Sequence, residues 1–173
     1  VGDAWKRGGW KAVDVLWAAP PDSTEQLLHP QRRGDAPTVV EPPPLPEGTL
    51  VVTLMQLGEL GVRQWLEPRI GPDRALIAAD GWDGDMVRMV RDADGRERIE
   101  IFTTWDTDAD ADEFVIAADT WLRKAKQEAV EGRNAWSLRQ SGREVALRML
   151  TGAARDPQVW VEPPPLPEVP VID

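Results

Sequence analysis

Residues 86–126, MVRMVRDADGRERIEIFTTWDTDADADEFVIAADTWLRKAK, decide the fold class of this chain. The segments 86–91 and 97–105 are rich in β-branched and other apolar residues and flank the turn sequence DADG, which predicts a β-hairpin. The next segment opens with acids, repeats apolar residues at helical spacing and ends in basic residues, which predicts a helix capped by Asp106 or Thr107. A hairpin followed by a long helix is typical of an α+β domain.

The flanking sequence extends this pattern. The apolar, β-branched run LVVTLM at 50–55 predicts another strand, and residues 135–150 predict a second hairpin around the turn signal Ser141–Gly142. Apolar spacing and capping residues predict further helices at 8–19, 23–29, 57–70 and 72–80. We therefore predict an α+β fold, in which an antiparallel sheet built from hairpins has helices packed on one face and proline-rich extended arms attached.

The octapeptide VEPPPLPE occurs twice, at 40–47 and at 161–168. Consecutive prolines favour extended polyproline II geometry, and such rods bind grooves lined by aromatic side chains. We predict a single domain over 1–155, in which the first copy is a rigid connector, and an extended proline-rich tail over 156–173. The alternative is that the repeat is only a duplicated spacer. The residues predicted to bind a partner are Val161, Glu162, Pro163, Pro164, Pro165, Leu166, Pro167 and Glu168.

Composition excludes several classes of function. The net charge of −10 repels phosphate backbones and anionic membrane surfaces, so nucleic acid is not a predicted partner. The chain has no cysteine, which excludes disulfides and thiolate metal sites. No apolar run approaches the roughly 18–20 residues that span a bilayer. The chain begins at Val1 without a signal-type stretch, which fits either a removed leader or a piece of a longer polypeptide.

His29 is the only histidine, and Glu25 lies four residues before it, on the same face if this turn is helical. The two could contact a substrate or support a site; alternatively, His29 interacts with the carbonyl groups at the end of its helix. Because a closed zinc site would need mostly carboxylates here, we predict no metal and no other cofactor. The helically spaced Trp10 and Trp17 are predicted to be core residues.

The acidic run at 106–113 resembles the start of a calcium-binding loop. Asp106, Asp108 and Asp110 match the first three ligand positions of an EF-hand. The pattern then departs, because Ala111 and Ala117 stand where the loop needs glycine and a bidentate glutamate. The exposed amides of a helix start account for these acids without an ion.

Three stretches together resemble a known group of proteins: AVDVLWAAPPDSTEQLLHP at 12–30, LGELGVRQWL at 57–66 and AADGWDGDMVRMV…TTWDTDADADEF at 78–114. They are similar to the C-terminal region of uncharacterised, exported bacterial proteins that carry a zincin-like H-E-x-x-H segment upstream. The resemblance covers residues 12–122 and implies an extracytoplasmic location, periplasmic or secreted. No H-E-x-x-H occurs in this sequence, so the resemblance does not bring metal chemistry with it.

These observations predict a non-catalytic protein-binding module rather than an enzyme. It would be an accessory subunit of a larger assembly, which could be a membrane complex, and would contact other protein subunits through its C-terminal arm. The alternative is a degenerate or trans-completed zincin-like metallopeptidase fragment. A calcium-stabilised domain is a third hypothesis.

Overall fold

The computed structural model describes residues 1–128 and 136–151 and has the predicted α+β architecture. The helices are α1 (Gly2–Ala18), α2 (Thr24–Leu28), α3 (Gly58–Ile70), α4 (Pro72–Ala79) and α5 (Asp108–Glu128). The strands are β1 (Leu50–Met55), β2 (Trp82–Arg91), β3 (Glu97–Trp105), β4 (Trp136–Ser141) and β5 (Glu144–Thr151). The predicted tail at 156–173 lies outside the described residues.

The strands form one antiparallel sheet in the order β1-β2-β3-β5-β4. Both predicted hairpins are present, and β1 adds to the free side of the first one. The second hairpin pairs with the first through β5, which places Val87, Ile101 and Leu147 in one row across three strands. This arrangement leaves β1 and β4 at the two edges of the sheet.

Helices α3, α4 and α5 form the core with one face of the sheet. The row across the three strands contacts Leu122 of α5, because alternate residues of each strand point to this side. Nearer the end of the sheet, the rings of Trp105 and Phe114 stack with centroids 4.7 Å apart, and Leu66 of α3 is fully buried beside them. Burial of each such side chain stabilises the fold by roughly 1.5–3 kcal/mol.

The opposite face of the sheet carries charge. Glu100 of β3 is 1% exposed, and nitrogens of Arg88, Arg98 and Arg148 lie 2.6–3.1 Å from its carboxylate oxygens. The first copy of the octapeptide contacts this face, since Arg88 Nη1 donates a hydrogen bond to the carbonyl of Pro43 at 2.8 Å. The guanidinium of Arg88 thus joins a buried ion network to the proline-rich connector.

Helix α1 differs most from its sequence-based prediction. It begins at Gly2, and the turn at Gly8 and Gly9 is not helical, since Gly9 takes a φ of 59°. Trp10 and Trp17 were predicted as core residues, but they are 74% and 78% exposed. Val13 shares their helix face by spacing and is only 3% exposed, so helical spacing shows which side chains share a face but not how much of that face the domain covers.

Residues 81–85, GWDGD, contain a turn and the first residues of β2. Gly81 takes the turn with a φ of 78°, and β2 begins at the next residue with a register shift between Trp82 and Gly84.

Within the described ranges, no helix combines the length and hydropathy needed to cross a bilayer.

Candidate functional site

The segment STEQ at 23–26 both starts α2 and attaches it to α3. Ser23 Oγ accepts a hydrogen bond from the backbone N–H of Gln26 at 3.2 Å, which confirms the predicted helix cap. Oγ1 of Thr24 accepts a hydrogen bond from the backbone N–H of Leu60, in the first turn of α3, at 3.2 Å. A short local motif therefore fixes the start of α2 against the start of α3.

Asp85 of β2 caps the same end of α3. Its two carboxylate oxygens accept hydrogen bonds from the backbone N–H groups of Leu57 and Gly58, each at 2.8 Å. Oδ1 also accepts a hydrogen bond from the indole N–H of Trp82 at 3.1 Å. Burial raises the pKa of Asp85, and these hydrogen bonds oppose that shift. A capping acid that lies 27 residues after the Gly58 it caps has no local sequence signature.

These two attachments bring together three groups that are far apart in the sequence. His29 Nε2, after the last turn of α2, lies 2.9 Å from Oε1 of Glu59 in α3. The same nitrogen lies 3.7 Å from Oδ1 of Asp80, which follows α4. One ligand-type atom from each of the three residues lies within 4.8 Å of the others.

Arg32 extends this group into a cluster of ionisable side chains, which consists of His29, Glu59, Asp80, Arg32, Glu25 and Asp106. Its Nη1 donates hydrogen bonds to the buried carboxylate of Glu25 and, at 3.1 Å, to Oδ2 of Asp106. Its Nη2 lies 3.6 Å from Oδ1 of Asp80. The structure therefore places the sequence-predicted residues Glu25 and His29 in one cluster, but it gives them different partners.

The cluster holds more negative than positive charge. Burial raises the pKa of Glu59, and the hydrogen bond and charge of His29 act against that increase. Burial also raises the pKa of Asp106, which the charge of Arg32 counteracts. Oε2 of Glu59 is buried and has no hydrogen-bond partner in the part of the chain that the structure describes.

An imidazole and two carboxylates can hold a divalent cation or exchange a proton with a bound molecule. Sequence reasoning found His29 and Glu25 and missed Glu59, Asp80 and Arg32. Their only signal was their position in or beside the three stretches that carry the family resemblance. The acidic run contributes differently, because Thr107, one of the two predicted caps, caps α5: its Oγ1 accepts a hydrogen bond from the backbone N–H of Asp110 at 3.2 Å, and Oδ2 of Asp110 accepts one from the backbone N–H of Thr107 at 3.0 Å.

Apolar side chains are exposed at three other places. All six residues of β1 are exposed, and five of them are large and apolar. Helix α1 exposes Trp5, Trp10 and Trp17. A groove of about 260 Å³ lies between α4 and α5. The partner-binding residues predicted at 161–168 lie outside the described residues.

Comparison with known proteins identifies the domain but no activity. A family model described as Domain of unknown function (DUF8575) matches residues 48–165, which include all five strands, Glu59 and Asp80. No curated protein and no solved structure matches the chain. Glu25, His29 and Arg32 precede the matched region, so the cluster joins the family domain to the segment before it. Because the match covers more than half of its residues, the chain belongs to the family of the Domain of unknown function (DUF8575).

Proposed function

We propose that this chain is a non-catalytic protein-binding module that works as an accessory subunit of a larger assembly. The observation that carries the proposal is β1, an edge strand whose six residues are all exposed. An edge strand presents unpaired backbone N–H and C=O groups that can pair with an extended segment of another chain. Apolar side chains on this strand would stabilise such a complex when the partner covers them. Leu50, Val51 and Leu54 are 52–64% exposed.

Helix α1 supplies a second apolar surface for the same partner or another one. Trp5, Trp10 and Trp17 are 53–78% exposed. Tryptophan is enriched at the centres of protein interfaces, because its ring buries a large area with few rotatable bonds. The net charge of −10 favours a neutral or basic partner over a second copy of this chain.

The proline-rich arms support the proposal through the contact between Arg88 and Pro43. Within the chain, the guanidinium of Arg88 donates a hydrogen bond to the carbonyl of Pro43, and polyproline II geometry leaves such carbonyls free to accept. We propose that the second copy, 161–168, binds a partner subunit in the same way. An extracytoplasmic location stays a prediction from the sequence resemblance.

The proposal is tested by purifying the tagged full chain from its native host and identifying its partner by mass spectrometry and reciprocal capture. We expect a complex of fixed stoichiometry that is weakened at least about tenfold by Val51→Lys with Leu54→Lys, because charge on an edge strand opposes pairing. Deletion of 157–173 should also weaken it while leaving the melting temperature of the domain nearly unchanged.

The control for this experiment is Ile116→Lys, which adds one lysine on the exposed side of α5, where the side chain is 67% exposed, and should keep the partner. Retention of the partner by both the double lysine variant and the deletion variant would contradict the proposal. A complex containing only copies of this chain would contradict the part of it that concerns other subunits.

A trans-completed metallopeptidase fragment is the second candidate function, favoured by the convergence of His29, Glu59 and Asp80. The two candidates differ in what the complex does. Peptide hydrolysis that appears only when the purified partner is added, and that disappears with His29→Gln, would favour the fragment. A complex with no hydrolytic activity on mixed peptide substrates favours the binding module.

A further inference from the structure

We propose that His29, Glu59 and Asp80 form a binding site for a divalent transition metal ion at the junction of α2, α3 and the end of α4. The imidazole selects ions such as zinc over calcium and magnesium, which prefer oxygen ligands alone. Three protein ligands leave a coordination position open for water or for a group from another molecule. The proposal goes beyond protein binding and does not depend on it.

The distances in the cluster match those that such an ion requires. Zinc lies about 2.0–2.2 Å from nitrogen and oxygen ligands, so two ligand atoms of a tetrahedral ion lie about 3.4 Å apart. His29 Nε2 lies 2.9 Å from Oε1 of Glu59 and 3.7 Å from Oδ1 of Asp80, values on either side of that spacing. The ligand atoms of Glu59 and Asp80 lie within 4.8 Å of each other, so small side-chain movements would bring all three atoms to the spacing that the ion requires.

The carboxylate of Glu59 gives independent evidence for a ligand. The residue is 1% exposed, yet only Oε1 has a hydrogen-bond partner, and Oε2 has none among residues 1–128 and 136–151. A buried carboxylate oxygen without a partner costs free energy, since it has lost water and gained nothing. A metal ion bound to this carboxylate would offset that cost.

The negative charge of the cluster and its exposure to solvent favour a cation as the group that binds Glu59. Glu25, Glu59, Asp80 and Asp106 contribute four negative charges, and Arg32 offsets one of them. Arg32 donates its hydrogen bonds to Glu25 and Asp106 and lies farther from Asp80, at 3.6 Å, so it does not neutralise the pair of Glu59 and Asp80. Asp80 is 58% exposed, so an ion can enter from solvent.

The proposed site disagrees with our prediction from the sequence that this chain, which has no cysteine and one histidine, binds no metal. That expectation considered closed zinc sites, whose ligands are mostly thiolates and imidazoles. An open site with one imidazole and two carboxylates satisfies the ion with the residues this chain has. Its two carboxylates were not apparent from sequence because Glu59 and Asp80 lie 30 and 51 residues after His29.

The test uses the purified full chain, stripped with chelator and titrated with zinc chloride by calorimetry. We expect one zinc ion per chain with a micromolar or lower Kd, and a melting temperature that rises with zinc concentration. His29→Gln and Asp80→Asn should each weaken zinc binding at least about tenfold. Calcium chloride and magnesium chloride titrated under the same conditions should bind far more weakly.

Asp73→Asn is the matched control, because Asp73 is an exposed acid in the first turn of α4, at the opposite end of that helix from Asp80. It should keep wild-type zinc affinity. Asp80 is exposed, so Asp80→Asn is expected to fold even if His29→Gln does not, and circular dichroism checks both. Equal zinc affinity in the wild type and Asp80→Asn, or no binding below millimolar zinc, would overturn the proposal.

Discussion

Oδ1 of Asp85 accepts a hydrogen bond from the backbone N–H of Gly58 at 2.8 Å, and through this contact β2 fixes the start of α3. The next residue in the helix is Glu59, which reaches His29. The first N–H groups of a helix have no partner within the helix, so an acid from another element can satisfy them and set where the helix begins. The candidate site therefore depends on a contact between a strand and a helix end.

Asp85→Asn should destabilise the fold by about 1–3 kcal/mol, because the new amide group would face backbone N–H groups that need an acceptor. The free energy of unfolding in urea measures the effect. Asp94→Asn, in the exposed turn between β2 and β3, is the control and should change stability by less than about 0.5 kcal/mol. Equal free energies of unfolding for the two variants would contradict a stabilising role of Asp85 as the cap of α3.

Gly58→Ala should destabilise the fold for two separate reasons. Gly58 has a φ of +67°, which costs a residue with a Cβ roughly 1–2 kcal/mol, and that Cβ would lie 2.3 Å from Oγ1 of Thr24. Gly71→Ala is the matched control, since its φ is +87° and its Cβ would meet nothing within 4 Å. Thermal unfolding should show a larger loss for Gly58→Ala. Equal losses would mean that Thr24 moves away freely.

The elements that sequence predicted well are those set by local chemistry. The cap at Ser23 acts over three residues, and the pattern of the β2–β3 hairpin is contained in one segment. The candidate site was predicted only in part, because the separation between His29 and Glu59 is set by how whole elements pack. Exposure was equally hard to predict, since the spacing of Trp10 and Trp17 fits both a buried and an exposed helix face.

Phe114→Ala should destabilise the domain by about 3–5 kcal/mol, because it leaves a cavity between Trp105 and Trp65. Phe114 is 1% exposed and lies in the larger core cluster. Ile116→Ala, two residues further along α5, removes a side chain that is 67% exposed and should cost less than about 1 kcal/mol. Similar losses for the two variants in urea unfolding would contradict the assignment of α5's buried face.

Glu100→Gln should destabilise the fold at neutral pH by about 3–5 kcal/mol, because it leaves Arg88, Arg98 and Arg148 close together without their common counter-ion. Glu97→Gln, three residues nearer the turn in the same strand and 32% exposed, is the control. It removes an exposed ion pair with Arg91 and should cost less than about 1 kcal/mol.

The same substitution should also change how stability depends on pH. Burial alone would raise the pKa of Glu100, but the hydrogen bonds and charges of Arg88 and Arg98 lower it below its ordinary value of about 4.3. A carboxylate with a lowered pKa in the folded state contributes its full stability above the unfolded pKa and loses it as pH falls through the folded pKa. The difference in unfolding free energy between the wild type and Glu100→Gln should therefore be constant above about pH 5 and shrink below about pH 4. Urea unfolding at a series of pH values measures it, and a difference that grows on acidification would contradict the ion network as the source of this stability.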